Sequence, residues 1–286
     1  PRRSGHRTSS PWAAFRGWKW MGLKERLRGV VPEERLVHLS RRFHVIGDIA
    51  ILSLHPELEG YRREIATALL EQCGNVHTVF NKASPLQGER RIPRLELLAG
   101  RGSSTTVHKE YGFRYHLDVQ GVFFNSHLGY ERMRVAGEVR AGEEVLVLFA
   151  GVGPFAIPSA ARGARVVALE KSPTACYWLA RNARENGVDE RVAVINADAF
   201  GAAILLKRSF DRAVVPTPYG MDRIVDSLPG MLKKGGVVHF YTFKKAREIE
   251  GLVRSYQDLG WKLLLCRRCG NVAPNVSRWA LDLQKV

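Results

Sequence analysis

The sequence predicts an α/β protein: a Rossmann-like, mainly parallel sheet of seven strands, preceded by a small α+β domain. Three observations predict it. The stretch Glu144–Phe149 is apolar on both faces and runs into Gly151-Val152-Gly153, as a buried parallel strand runs into a sharp turn. Downstream, apolar strands alternate with helical segments, and that alternation demands crossover connections. Upstream, strands mix with one helix and a Tyr111-Gly112 hairpin turn without such alternation.

The 286 residues are too many for one small core, and the text divides into a basic arm over 1–40, an α+β domain over 41–118 and the sheet domain over 119–286. Hydrophobic content of 45% with 25% charged residues is that of a globular protein. No apolar run reaches the ~18 residues a membrane span needs, and the basic N-terminal stretch lacks the apolar core of a secretory signal. The first residue is Pro, so the native start is expected upstream. A net charge of +16 with a pI near 10.1 points to a polyanionic partner, RNA or DNA before a membrane surface. Cys266-x-x-Cys269 has ligand spacing, but Cys73 and Cys176 do not supply the second pair of a structural zinc, so no metal is expected. The cysteine usage suits the cytoplasm.

Taken in order, residues 1–29 hold eight Lys/Arg and one acid, with Trp12, Phe15, Trp18 and Trp20 between them. Such a mixture can grip phosphates and stack on bases, or pack as a tail on the body. Leu23 to Leu39 reads as an exposed helix or linker. Phe43–Leu52 reads as a strand, Leu58–Cys73 as a helix with Tyr61, Ile65, Leu69 and Leu70 on one face, and His77–Phe80 as a second strand. The hairpin 104–119 closes the first domain. Beyond it the strands are 145–149, 165–169, 192–195, 212–215 and 237–242, with an antiparallel pair, 262–266 and 278–283, at the end. Helices are expected at 155–162, at 173–186 with Pro173 in the first turn, at 222–232 closed by Gly235-Gly236, and at 244–259.

In such a sheet the ligand lies at the carboxyl ends of the strands, which gathers the candidate site. Gly151 and Gly153 end the first strand beside Phe149. Glu170 ends the second, where an acid can accept from two ribose hydroxyls. Asp198 ends the third and can take an adenine amino group. Pro216, Thr217 and Tyr219 end the fourth and face whatever reacts. No Lys stands in the glycine loop, so this is not a phosphate-cradling loop. An adenosine without phosphate contacts points to S-adenosylmethionine rather than a dinucleotide.

With these motifs in place the chain resembles a known family. Phe149-Ala-Gly-Val-Gly-Pro-Phe155, Ala168-Leu-Glu-Lys-Ser-Pro-Thr-Ala175 and Gly235-Gly-Val-Val-His-Phe-Tyr-Thr242 are similar to the archaeal and eukaryotic tRNA guanosine-37 N1-methyltransferases and wybutosine aminocarboxypropyl transferases. Val45–Ala50, Asn81–Ser84, His108–Gly112 and Val122–Leu128 followed by Glu131-Arg132 extend the likeness over roughly residues 43–286. The family's separate domain for the tRNA elbow is not recognisable in residues 1–40. The resemblance implies a class I methyltransferase fold, S-adenosylmethionine as cofactor, the anticodon region of tRNA as partner, and an RNA-contacting role for the small domain. A monomeric, cytoplasmic enzyme without metal is expected.

The resemblance also implies a mechanism. Glu131 matches the family's base, which takes the N1 proton of guanine, and Arg91 its catalytic arginine, a cation against the developing charge on O6. Arg132, Thr217 and Tyr219 are the candidate substrate contacts; Phe149, Gly151, Gly153, Glu170, Asp198 and Pro216 are the cofactor contacts. Two positions depart from the family pattern: Val147 stands where an acid is usual, and Pro216 where an Asn is usual. Gly153-Pro154-Phe155, Phe124–Leu128 and His239–Thr242 look like the methyl-transfer branch, whereas Glu170–Ala175 is nearer the branch that transfers the aminocarboxypropyl group. Methyl transfer is the favoured reading. The alternatives are aminocarboxypropyl transfer to a wybutosine precursor and an RNA-binding relative without turnover.

Overall fold

A computed structural model of the chain describes residues 22–40, 43–84, 93–201 and 206–286. The described residues divide into two compact units, one within 22–104 and the other from 105 to 286.

The first unit is a four-stranded sheet in the order β1-β2-β3-β4, with β1 His44–Ile46, β2 Ile49–Leu52, β3 Thr78–Lys82 and β4 Leu95–Gly100. Gly47, at φ 58°, turns β1 into β2, so the single strand expected over 43–52 is a hairpin. The short helices α1 Leu23–Arg26 and α2 Glu33–Leu36, a 3-10 turn at Pro56–Tyr61 and α3 Arg62–Gln72 complete the unit. Leu27, Val31 and Leu36 are 1–2% exposed and share a core with Leu58, Ile65, Leu69 and Val79. Over residues 22–40 the chain is therefore part of the first unit and not an exposed arm, while residues 1–21 lie outside the described residues. From Leu23 the spacing of leucines through a charged stretch makes an apolar face that the sheet unit buries.

The second unit opens with a hairpin, β5 Thr105–Glu110 and β6 Phe113–Asp118, turned by Tyr111 at φ 49° and Gly112 at φ 87°. Two adjacent left-handed residues match the twist of antiparallel strands. The hairpin, expected to close the first domain, belongs here because Asn182 and Asn186 bind it. Asn182 accepts from His116 N–H at 2.7 Å and donates to His116 C=O at 3.0 Å; Asn186 does the same for Arg114 at 3.0 and 2.8 Å. The boundary is therefore at Ser104/Thr105 and not at 118/119.

Then follow α4 Gly129–Glu138, β7 Glu144–Val147, α5 Ala156–Ala161, β8 Arg165–Glu170, α6 Pro173–Glu185, β9 Val192–Asn196, β10 Phe210–Pro216, β11 Leu232–Lys245, α7 Ala246–Asp258, β12 Trp261–Ala273 and β13 Val276–Lys285. The seven strands take the order β12-β13-β11-β10-β7-β8-β9. All neighbours from β11 to β9 are parallel, while β13 runs antiparallel to β11 and β12. The expected mainly parallel, seven-stranded Rossmann-like sheet is thus present. Strand order reverses between β7 and β10, so the loop after β7 opens at the switch point where such sheets bind ligands. The helix expected over 222–232 is instead two 3-10 turns, Asp222–Ser227 and Pro229–Met231. Pro229 carries no N–H with which to continue a helical hydrogen-bond ladder, although Leu228 before it keeps helical angles, φ −71° and ψ −33°.

Candidate active site

The loop after β7 is held by its neighbours. Leu148 N–H donates to Val214 C=O and Ala150 N–H to Leu169 C=O, both at 3.0 Å. Phe149 between them sits at φ 52°, a left-handed conformation costing a non-glycine residue roughly 1–2 kcal/mol. The two glycines differ. At Gly151, φ 56°, a Cβ would meet nothing within 4 Å, so its outer face is open. At Gly153, φ 95°, a Cβ would lie 2.9 Å from Ile157 and 3.2 Å from Leu179. Gly153 is therefore a packing glycine that lets the loop lie against α5 and α6.

Glu170 crosses the mouth of this loop. Its Oε2 accepts from Gly151 N–H at 2.9 Å and its Oε1 from Ser172 N–H at 2.8 Å. Each oxygen keeps a second lone pair, so the carboxylate can accept from two further hydroxyls. Asn196 ties the ends of β8 and β9 by donating to Glu170 C=O and Lys171 C=O, both at 2.9 Å. Asp198 accepts from Phe200 N–H at 3.0 Å and lies 3.3 Å from Lys171 Nζ. Phe149 meets the exposed Phe200 edge-on, with centroids 6.5 Å apart. Phe149, Gly151, Glu170 and Asp198 thus surround the carboxyl ends of β7, β8 and β9. Pro216 ends β10 directly opposite Tyr241 on β11.

A second cluster lies on one face of β11, β13 and β12. The register pairs His239 with Asp282, Tyr241 with Ala280, which pairs in turn with Arg267 on its other side, and Phe243 with Arg278. Alternate residues of a strand share a face, so these side chains form three rows on the face where α4 packs. Glu131 and Arg134 of α4 reach down to it. Glu131 is 2% exposed. Its Oε2 accepts from Arg134 Nε at 3.0 Å and from Tyr241 Oη at 3.1 Å. Its Oε1 lies 3.3 Å from Arg267 Nε, an ion-pair distance without hydrogen-bond alignment, and has no aligned donor. Arg267 in turn covers the exposed Tyr130 ring at 4.8 Å, and Arg278 covers Phe243 at 4.9 Å. Burial and the Glu131 carboxylate hold the Tyr241 phenol well above its ordinary range. Cys269, buried close to the same carboxylate, is pushed up to about 11.

Beneath Glu131 the polar chain continues. Arg134 donates to both oxygens of Asp282, at 2.6 and 3.2 Å, and to Glu138 at 2.9 Å. Asp282 contacts His239 Nδ1 at 2.8 Å, and His239 Nε2 lies 2.6 Å from Arg212 Nη1. Arginine only donates, so Nε2 is the acceptor and Nδ1–H donates to Asp282. Burial would raise the Asp282 carboxyl, but His239 and Arg134 together hold it below its ordinary range. Glu138, His239 and Asp282 converge within 4.8 Å as a cation site would, yet both ring nitrogens of His239 are already engaged.

Other expected contacts are placed differently. The Arg132 guanidinium is 2% exposed and spent on Glu110 and on Asn125 C=O, both at 2.6 Å, above the Phe124 ring; it fixes α4 to β5 rather than reaching out to a substrate. Thr217 is 3% exposed and its hydroxyl turns back to Val215 C=O at 3.2 Å, which likewise removes it from the substrate face. Tyr219 is 61% exposed and tilts against Phe243 at 5.7 Å. Val147 is fully buried between Val214 and Ala168, with no acid in its place. Arg91 lies outside the described residues. Sequence reasoning missed Arg134, His239, Tyr241, Arg267 and Asp282. The available signal was a polar residue inside an apolar strand, His239 in Val-Val-His-Phe and Asp282 in Ala-Leu-Asp-Leu.

Comparison with known proteins agrees with this geometry. Residues 106–259 match the TRM5/TYW2 methyltransferase domain and residues 23–104 match the TYW2 N-terminal domain. The chain is 36% identical over 213 residues to the tRNA (guanine(37)-N(1))-methyltransferase Trm5b of Pyrococcus abyssi, covering 74% of this chain and 63% of that protein. It thus spans less than two thirds of that relative's length. It is 35% identical to the tRNA(Phe) (4-demethylwyosine(37)-C(7)) aminocarboxypropyltransferase of Pyrococcus horikoshii, covering 77% of this chain and 79% of that one. The solved complex of aTrm5 and tRNALeu superposes with a TM-score of 0.83 at 28% identity, over 93% of this chain and 78% of that one.

Proposed function

The chain belongs to the TRM5/TYW2 methyltransferase family, and from that premise we propose that it transfers the methyl group of S-adenosylmethionine to N1 of guanosine-37 in tRNA. The observation that carries the reading is Glu131, a buried carboxylate with Oε2 tied down by two hydrogen bonds and Oε1 held only by the ion pair to Arg267, with no aligned donor. Guanine N1 bears a proton that must leave before or as N1 attacks, and a fixed carboxylate oxygen is a suitable acceptor.

The residues around Gly151 fit the cofactor. The open face of Gly151 admits a ligand close to the backbone, and the spare lone pairs of Glu170 suit a ribose diol. Asp198 takes the adenine amino group, with Phe149 and Pro216 bordering the same space. Held there, S-adenosylmethionine would supply a sulfonium methyl, the N1–C bond forming as the S–C bond breaks, with a neutral thioether as the leaving group. Glu131 Oε1 receives the N1 proton, for which Arg267 must give up its place over that oxygen. The family resemblance assigns the charge on O6 to Arg91, which lies outside the described residues, and Tyr219 with Phe243 presents ring surface to the bases beside the target. The chain acts as a cytoplasmic monomer on the anticodon region of tRNA, and no metal takes part.

Aminocarboxypropyl transfer at the same tRNA position is the second reading. It is favoured by the TYW2-type match over residues 23–104 and by Glu170–Ala175, which is nearer that branch. Incubating the protein with tRNA and cofactor labelled either on the methyl or on the carboxyl carbon separates the two. Methyl label alone in RNA supports the proposal. Carboxyl label in RNA overturns it in favour of the second reading, and transfer of neither label marks an RNA-binding relative.

A further inference from the structure

The chain Glu131–Arg134–Asp282–His239–Arg212 runs through the interior of the second unit, and the reaction above uses only its first member. Buried ion pairs are poor stabilisers, because desolvating two charges costs about as much as their attraction returns. A network of this extent inside a hydrophobic unit therefore calls for another role. Its geometry is lopsided. Arg134 gives one N–H to Glu131, at 3.0 Å, but is bidentate on Asp282, at 2.6 and 3.2 Å. His239, itself 0% exposed and fixed by Arg212, donates to Asp282 and holds it in that bidentate position.

We propose that Asp282, positioned by His239, sets the strength of Glu131 as a base by competing with it for Arg134. A carboxylate with a guanidinium to itself is strongly held in its ionised form and accepts a proton poorly. Sharing Arg134 with a better-placed carboxylate leaves Glu131 oriented by a single N–H of that guanidinium, and its other cation, Arg267 at 3.3 Å from Oε1, is the one displaced in the reaction above. The groups facing Glu131 are Arg134 on α4, Tyr241 on β11, Arg267 and Cys269 on β12, and Asp282 through Arg134. Glu138 faces Arg134 and His239 from the far side. Asp282 and His239 are positioning residues: they touch no reacting atom and act through Arg134.

The inference rests on Glu131 being the base, and the test keeps the two apart. Single-turnover transfer of cofactor label to tRNA is followed across about pH 5 to 9 for the wild type, Glu131→Gln, Asp282→Asn and Arg134→Gln. Asp282→Asn returns Arg134 to Glu131. The rate plateau falls roughly tenfold, part of the ~10²–10⁴ that a general base supplies, and the acidic limb moves down by about one pH unit. Arg134→Gln removes the cation, and the limb moves up by about one unit. KM for cofactor and for tRNA stays within about twofold of wild type in both. Asp282→Ser, neutral but still able to accept from His239, carries the same expectation if Asp282→Asn folds poorly. Limbs that stay put, or move in the same direction, overturn the inference while an inactive Glu131→Gln leaves the base assignment standing. A Glu131→Gln rate equal to wild type overturns the base assignment itself.

Discussion

Gly151 and Gly153 stand in one motif and answer to different forces. Gly153 has both a left-handed backbone and α5 and α6 side chains in the way of a Cβ, so Gly153→Ala should cost about 1–3 kcal/mol through overpacking and strain. Calorimetry should show a Tm several degrees lower. Gly151→Ala strains the backbone but meets no neighbour, so its larger effect should fall on cofactor affinity, measured by titration calorimetry with the thioether product. Glu170→Gln should weaken that affinity roughly tenfold or more, since hydrogen bonds to a charged acceptor are worth about 1.5–3 kcal/mol. These residues were legible in the sequence because each ends a strand in an α/β pattern, and topology alone brings strand ends together. Arg132 and Thr217 were misread for a related reason. Position beside a motif says where the Cα goes, whereas Glu110 and the Val215 carbonyl decide where the side chain points.

At the scale of elements, α4 and the terminal hairpin hold the proposed base and the groups around it. The sequence reading placed no helix at 129–138, because Glu131, Arg132 and Arg134 turn polar atoms inward and blur the apolar stripe that announces a helix. The rows His239/Asp282, Arg267/Tyr241 and Arg278/Phe243 depend on the register between β11, β13 and β12, which no local pattern fixes across such sequence distances. The hairpin β5–β6 depends on α6 in the same way. Asn182 is fully buried and serves His116 and also the Val152 carbonyl. Asn182→Ala should therefore leave buried backbone groups unpaired and cost about 1–3 kcal/mol, read as a lower urea midpoint with loss of amide protection at His116. Asp282, with its pKa depressed in the folded state, contributes stability that is present above the unfolded carboxylate range. That stability is lost as pH falls through its folded value, so Asp282→Asn should flatten the acid limb of a stability curve.

For the whole molecule, the surplus of 44 Lys and Arg over 28 Asp and Glu concerns its partner more than its fold. If that partner is tRNA held by its phosphates, affinity must fall steeply with salt, by ~0.7–0.9 in log K per log salt for each phosphate neutralised. A flat response between about 50 and 200 mM would reject the phosphate-contact account. The two-unit organisation was visible in the change of pattern along the chain, but its boundary was not. Leu27, Val31 and Leu36 look like a charged linker until the sheet that buries them is seen, and the 105–118 hairpin looks like its predecessor until Asn182 and Asn186 claim it. The central claim joins fold to reaction through one atom, Oε1 of Glu131. Single-turnover incubation with guanosine-37 tRNA, followed by nucleoside mass spectrometry, tests it most directly. The account predicts N1-methylguanosine at position 37 from the wild type and at least ~100-fold slower formation by Glu131→Gln. An aminocarboxypropyl nucleoside, or N1-methylguanosine formed by Glu131→Gln at the wild-type rate, would contradict it.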